Sequence, residues 1–596
     1  MDFTIHAFCH PYCLEGKCNM HLSEIWHSKK NDSRLSRTQV MKFNKIAILL
    51  LSAGLLTTTS CDFMDCDESD NYTLQEIQGS YNRVKQFVTS IYGYLPSDFC
   101  NTHGAMVDAA TDDAIHVYES SAIQRIVNGT WSANYTVDDK FAYYYNAIHD
   151  ANYYLTTLSG LTFDTWENGD DYQDWMQNYD NYQYQVRFLH AYFYFELVRR
   201  YQNVPLITKP LSQTETNQIE PSSAQEVLKF IINECTEIAP KLPIKSTSIA
   251  QAENGRATRA MAMALKSRAA LYAASPLYST NGDNAKWTEA AKASHDIIAS
   301  AGELGLGLDT YANLFKSKNY NSKEVILCRP TGTSKTFEQA NYPMGVTGGN
   351  TTTCPTENLA SAFEMKDGRA FDWNDPTMKA NQYKDRDPRF YLTIVHNGML
   401  WPAKKAVDIS EGGANGLPLT NVTTTGYYLR KYVDNSISFE AASTTAATHH
   451  NWILFRYAEV LLNYAEAMIH VNGNCDYKDA TYTMSAREAL NAVRKRAGIP
   501  EVAACSQEEF LTRVKHERRV EMAFEGQRFW VLRRWKNLDE TKNIYAVRIT
   551  HHDGVLSYEK TLLSERSVSN KLYFYPIANV ELFKNKKLVQ NSGWDK

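Results

Sequence analysis

Between Tyr81 and Leu95 the apolar residues Val84, Phe87, Val88 and Ile91 recur three and four positions apart, which predicts an amphipathic helix. Residues 141–158 repeat the pattern with Tyr144, Ile148, Ala151 and Leu155 on one stripe. In 182–201, Phe188, Leu189, Tyr192, Phe193, Phe195 and Leu197 leave so little polar surface that the predicted helix must pack on several sides. Glu196 and Arg200, four apart, can pair on it. Pro205 then bars an easy helical conformation at Val204 and ends the run. Further helices are predicted over 223–242, 257–275 and 287–300. The second of these holds eight alanines between Ala257 and Ala274, which lets neighbouring helices approach closely, and Pro276 stops it.

From about Gly302 to Ser443 glycine, threonine, asparagine and proline rise and the periodicity fades. Only short strand-like pieces stand out, at 324–328 and 427–433. An irregular stretch of this length is unusual in a compact domain and commonly forms a functional surface. Helical periodicity returns at Trp452, with Leu454, Ala458, Leu461, Ala465 and Met468 on one stripe and Arg456, Glu459, Asn463 and Glu466 opposite. Helices follow over 485–497, ending at Gly498, then over 507–524 and 526–535. The fold class is therefore mainly α, with degenerate tetratricopeptide-like helix pairs interrupted by a long loop-rich insertion.

The N-terminal part has a different character. Lys42 and Lys45 precede an apolar or small run from Ile46 to Leu56, and then Thr58-Thr59-Ser60-Cys61, the layout of a secretory signal. The run is too short to span a bilayer, which takes about 20 apolar residues. Thr58 to Cys61 resembles a bacterial lipobox, although an aliphatic residue is usual where Thr58 stands. Lipidation is expected at Cys61, with simple secretion and a free Cys61 as the alternative. Asp62, Asp65, Asp67, Glu68 and Asp70 form an acidic leader over 61–80 that cannot bury itself. It serves as an export tag or as a solvated linker. Met41 reads as the start of translation and 1–40 as an upstream extension. Cys9, His10, Cys13, Cys18, His21 and His27 in that extension match no zinc-finger spacing.

A net charge of −5 without a polybasic run excludes nucleic acid as the expected partner. The cysteines after the signal are scattered without a CxxC, and a chain of this size needs no disulfide framework. Tyrosine (37) outnumbers phenylalanine (24), and there are 11 tryptophans. Such rings suit half-buried helix faces, and also stacking on sugars. No Walker A loop, GxSxG elbow or HExxH is present, since Arg518, Arg519 and Val520 follow His516-Glu517. No cofactor, catalytic group or metal is expected. His449-His450 and His551-His552 read as exposed loop pairs.

Several segments in order resemble the SusD/RagB nutrient-uptake lipoproteins of Bacteroidetes. They are Arg187 to Tyr201 with Asn203-Val-Pro205, Gly255 to Tyr272, Asp385 to Tyr391, Arg456 to Ala467, Leu490 to Gly498, Glu517 to Arg528, Tyr575-Pro576 and Gln590 to Trp594. The resemblance implies an N-terminal helical part over 81–301 and a C-terminal part over 302–596, with 302–443 facing ligand. It further implies an outer-membrane protein anchored through Cys61 that faces the cell exterior, binds glycan or, in some members, peptide, and works with a SusC-like TonB-dependent transporter. Within the shared motifs, Arg456, Glu459, Glu466, Arg518, Arg519 and Glu521 read as helix-to-helix ion pairs and caps.

A sugar-binding surface needs exposed rings with polar neighbours, because a pyranose offers an apolar face ringed by hydroxyls. In the family the platforms lie in the loops after the first helices and in the long insertion. The residues at comparable places are His116, Tyr118, Tyr320, Phe337 and Tyr342, with Asn319 and Asn341 as hydrogen-bond partners. Each could instead pack its own loop. A surface glycoside hydrolase, whose two carboxylates spacing cannot reveal, and a scaffold serving only the transporter are the rival classes.

Overall fold

The computed structural model describes residues 73–245, 253, 255–280, 282–402, 405–440 and 447–595. The signal, the lipobox with Cys61, most of the acidic leader and the upstream cysteine-histidine cluster lie outside the described residues. Two units are distinguished. In the small one, residues 73–84 and 163–167, the short helix Leu74–Gln78 starts on a capping box between Thr73 and Glu76, and Tyr81 meets Phe163 edge-on at 6.1 Å. The rest forms the large unit and carries the site.

Among the described residues, helices of eight or more residues are α1 Tyr81–Tyr92, α2 Phe141–Tyr153, α3 Tyr172–Tyr201, α4 Ala224–Ile238, α5 Arg259–Ala274, α6 Asn284–Ala299, α7 Tyr457–Asn472, α8 Ala486–Ala497, α9 Gln507–Glu521 and α10 Gln527–Arg534. From α2 to α7 each helix packs on the next, and α8 and α9 pack on α7. This stacking of neighbouring hairpins is tetratricopeptide-like. The starts and stops follow local chemistry. Ser223–Glu226 and Ser485–Glu488 close capping boxes on α4 and α8, and Gly473 and Gly498 end α7 and α8 with φ of 76° and 81°. The alanines of α5 admit close neighbours. Ser267 Oγ lies 2.8 Å from Ser294 Oγ on α6 and receives a hydrogen bond from Asn463 Nδ2 on α7 at 3.1 Å.

Three features depart from the sequence reading. Helix α3 begins at Tyr172, ten residues before the strongly apolar stretch, on a more polar first third. The segment read as helical from Trp452 is a strand, β6 Asn451–Arg456, buried along its whole length and paired antiparallel with β2 Val325–Pro330; α7 starts only at Tyr457. A short, wholly buried apolar run carries no periodicity with which to tell strand from helix. The third is a hairpin of β7 Asn543–His552 and β8 Val555–Glu565. Its two-residue turn, Asp553-Gly554, has φ of 50° and 78°, the doubly positive geometry that Asp-Gly favours. The two remaining sheets are two-stranded: β1 Ala114–His116 with β3 Thr353–Pro355, and β4 Ile394–Val395 with β5 Tyr428–Leu429.

A buried ionic core ties α7, α8 and α9 to the loop-rich region. Arg456, fully buried, meets Glu324 at 2.7 Å, Glu521 at 2.6 Å and Glu525 at 2.8 Å. Arg389 meets Asp387, Glu517 and Glu521, and Arg494 joins Glu364 to Glu517. Arg268 on α5 grips Glu459 at 2.6 Å, and Arg534 grips Glu466 at 2.6 Å. Of the charged residues in the shared motifs, Glu459, Glu466, Arg518 and Glu521 thus make helix-to-helix ion pairs, whereas Arg456 pairs from the end of β6 and Arg519 reaches from α9 to Asp112 and Asp113 in a turn, both at 2.7 Å.

Candidate functional site

Residues 427–433 cross the boundary between this core and the surface. Lys431 points inward, where its Nζ reaches Tyr311 Oη at 2.9 Å, the Ala523 carbonyl at 2.6 Å and Glu525 at 2.8 Å. Tyr432 follows with φ +67°, a left-handed conformation that a bulky residue adopts only when its surroundings enforce it. Here they do. Its ring stacks on Trp452 at 5.4 Å and meets Phe99 and Phe315 edge-on at 5.3 and 4.9 Å.

In front of this aromatic node lies a recess of about 410 Å³. Phe315, Trp401 and Tyr432 supply its rings; Arg430, Asp434, Asn435, Lys316 and His450 supply polar groups. Trp401 and Tyr432 are nearly covered and form the floor, whereas Phe315 and Arg430 are half-buried and Lys316 and Asn435 are exposed. Rings beneath a ring of hydroxyl, amide and charged groups suit a hydroxylated ligand with apolar faces. A second cleft of about 320 Å³ is lined by Phe141, Tyr145, Ile207 and Leu588, with Lys209 and Glu581 among its polar groups.

Six of the seven residues expected from the sequence fall in two groups around this region, and Tyr320 stands apart from both. His116, Tyr118 and Asn341 meet through Thr352: His116 Nδ1 lies 2.9 Å from the Thr352 carbonyl, and Thr352 Oγ1 donates to Asn341 Oδ1 at 3.3 Å. His116 and Tyr118 are edge-on at 5.3 Å, and the Tyr118 hydroxyl donates to the Asn350 carbonyl at 3.0 Å. Burial lowers the pKa of His116, so its ring is neutral at pH 7.

Asn319, Phe337 and Tyr342 lie behind the recess. Asn319 Nδ2 donates to the carbonyls of Leu314 and Asn451, and Asn451 Nδ2 fixes the Ser317 carbonyl on the recess wall at 2.6 Å. Phe337 packs against His450 at 5.3 Å. The Tyr342 hydroxyl donates between the carbonyls of Asp434 and Ile437 at 2.7 and 2.8 Å, while its ring backs Trp401 at 5.3 Å. Of the seven, Tyr320, 47% exposed, and the half-buried Tyr118 present ring surface; the others are buried and hold loops in place.

His450 is not an exposed loop residue: it is buried, with Nε2 2.9 Å from Glu338 Oε1, because it closes the aromatic node. His551 and His552 are exposed, at the tip of β7. Sequence reading missed Phe315, Trp401, Arg430, Asp434 and Asn435. The available signal was the strand-like run 427–433, in which alternation sends Lys431 inward and Arg430 outward.

Stacked helix hairpins carrying a loop-built recess of rings and polar groups define a binding protein on a tetratricopeptide-like scaffold. Comparison makes this specific. Residues 316–594 match the profile of the SusD family, and residues 62–271 match a second SusD-like profile described as starch-binding and associating with the outer membrane. The chain belongs to the SusD/RagB family. A SusD-like protein from Bacteroides fragilis is 26% identical, with a TM-score of 0.69 over 87% of this chain and 98% of that one. A SusD-like carbohydrate-binding protein from the same species is 24% identical, with a TM-score of 0.69 over 86% and 100%. The surface glycan-binding protein A from Bacteroides fluxus shares the fold at 20% identity, with a TM-score of 0.58 over 86% and 99%. No curated protein matches the chain.

Proposed function

We propose that the chain is a non-catalytic, cell-surface glycan-binding lipoprotein that captures an oligo- or polysaccharide and passes it to a SusC-like TonB-dependent transporter. The observation that carries this reading is the recess over Tyr432, where rings and polar groups converge on a strained, over-determined backbone. The carbohydrate-binding relatives and the outer-membrane description of the matching profile support the same class of ligand and place. Tyr118 and Tyr320 serve as accessory platforms. Asn319, Phe337, Tyr342 and the His116–Asn341 cluster shape the loops around them. Cys61 carries the lipid.

Calorimetry of the purified protein against polysaccharides and peptides tests the reading. Binding to at least one glycan is expected. Phe315→Ala should weaken it about tenfold, within the range for a base or ligand ring losing a stacking partner. Binding to peptides alone would overturn the glycan assignment, and shortened products after incubation would overturn the non-catalytic one. Labelling with palmitate that persists in Cys61→Ser would remove the anchor from Cys61.

A further inference from the structure

Among the described residues, the recess contains a cation with no carboxylate partner. We propose that Arg430 receives the anionic group of an acidic sugar unit, carboxylate or sulfate, so that the glycan taken here is an acidic one. This rests on the glycan reading above and narrows its ligand class.

The guanidinium of Arg430 spends only Nη1 on the protein, at the Tyr391 carbonyl and 3.8 Å from the Met399 sulfur. Among the described residues, Nε and Nη2 have no partner and no carboxylate stands within ion-pair distance. Burial lowers the pKa of Arg430. Several more deeply buried arginines have more partners, although Arg533 shares the lack of a carboxylate and donates to the Phe529 carbonyl. Arg456 holds three carboxylates, while Arg386 and Arg566 each donate to three carbonyls. A half-buried charge is costly without a partner, and a guanidinium fork with two free edges matches the paired oxygens of a carboxylate or sulfate.

The rest of the recess is consistent with an anion at the Arg430 end. Lys316, on the rim, donates to the neutral Asn313 Oδ1 at 3.0 Å, has no carboxylate partner among the described residues and adds a second positive charge. The opposing charge is Asp434, whose Oδ1 is held by Ser436 N and Oγ at 2.9 and 2.7 Å. The remaining carboxylate nearby, Glu338, is turned toward His450 and the Asp434 amide. Asp434 repels an anion from its own side, and Phe315 and Tyr432 offer the sugar ring its apolar contact.

Titration calorimetry with oligogalacturonides, with a sulfated polysaccharide and with neutral oligosaccharides, at low and high salt, decides the point. An acidic ligand should bind in a salt-weakened manner, and the two acidic arms show which oxyanion is used. Arg430→Gln should lower that affinity about tenfold or more and Arg430→Lys less, since lysine keeps the charge but loses the fork. Asp434→Asn should raise it a few-fold, with no loss of melting temperature in either direction needed to explain it. Acidic glycans bound equally by wild type and Arg430→Gln, or binding of neutral glycans only, would overturn the inference and leave glycan binding standing. No binding to any glycan would overturn the proposed function itself. Should Arg430→Gln fail to fold, unchanged acidic-ligand affinity in Asp434→Asn would overturn the inference by itself.

Discussion

The ionic core and the recess are built from the same side-chain types, separated by a single residue, and differ in whether charge is answered. Lys431 enters the core and finds a phenol, a carbonyl and a carboxylate. Arg430, next to it, enters the recess and finds one carbonyl. In the core, charge is spent on joining elements far apart in sequence, as when Arg456 at the start of α7 clamps Glu324 before β2, Glu521 at the end of α9 and Glu525 beyond it. In the recess, unspent polarity is what a ligand could use. Breaking a core pair should therefore damage the fold, and breaking a recess group should damage binding alone.

The largest effect is expected at Arg456. Arg456→Met takes the shared cation from three buried carboxylates, leaving Glu324 to Arg496, Glu521 to Arg389 and Arg496, and Glu525 to Lys431; removal of one partner from such a cluster costs up to about 3–5 kcal/mol. Urea unfolding at pH 7 measures it. A midpoint equal to wild type would mean that the cluster adds nothing to the stability of the helical unit.

Glu466 gives the same contrast as a pH dependence. Burial pushes its carboxyl up, but Arg534 and Arg518 more than offset this and hold it at about 2, against an ordinary 4.5. Because the folded value lies below the unfolded one, the stabilisation is complete above about pH 4.5 and is lost as pH falls toward 2. That window is worth about 3 kcal/mol at 1.36 kcal/mol per unit, as an order of magnitude for a fully buried group. Denaturant midpoints between pH 6 and pH 3 should fall less steeply in Glu466→Gln than in wild type; parallel curves would remove Glu466 from the acid response.

Much of this division was legible in the residues. The stripes of α2 to α9 announced a helical protein, and the motifs shared with the SusD/RagB family marked Arg456, Glu459 and Glu466 as ion-pair partners. Composition alone marked 302–443 as the region for a site. The recess was not legible, because its parts come from 312–317, 392–401, 430–435 and 448–450, and sequence order does not show which loops converge. Choosing aromatic residues in loops found Tyr118 and Tyr320 but also Phe337 and Tyr342, which are buried because loops of this length need cores of their own. Trp452 was misread for a related reason: a run buried on all sides has no polar face to reveal its period.

Asp108 is a buried acid that the core does not answer. Neither carboxylate oxygen has a hydrogen-bond partner among the described residues, whereas the neighbouring Asp112 meets Arg519 at 2.7 Å and Arg528 at 2.8 Å. Burial, with Asp113 beside it, raises Asp108 to about 7. A raised folded value means that stability is full below the unfolded value of 3.8 and is lost as pH rises through about 7. Asp108→Asn should therefore gain about 1–3 kcal/mol at pH 8, the cost of one unsatisfied buried group, and gain little at pH 4. A gain equal at both pH values would trace it to packing and not to charge.

The smallest effect is expected where a charge pair faces water. Arg548 on β7 reaches Glu411 at 2.7 Å, the same separation as Arg456 to Glu324, yet the two side chains keep 57% and 41% of their exposure. Solvent then screens the attraction, and two long side chains lose freedom in meeting. Arg548→Gln should leave the urea midpoint close to wild type, and added salt should erase any difference. If it instead approached the loss at Arg456, distance and not burial would be setting the worth of these pairs, and an unpaired Arg430 would no longer stand out as a group held open for a ligand.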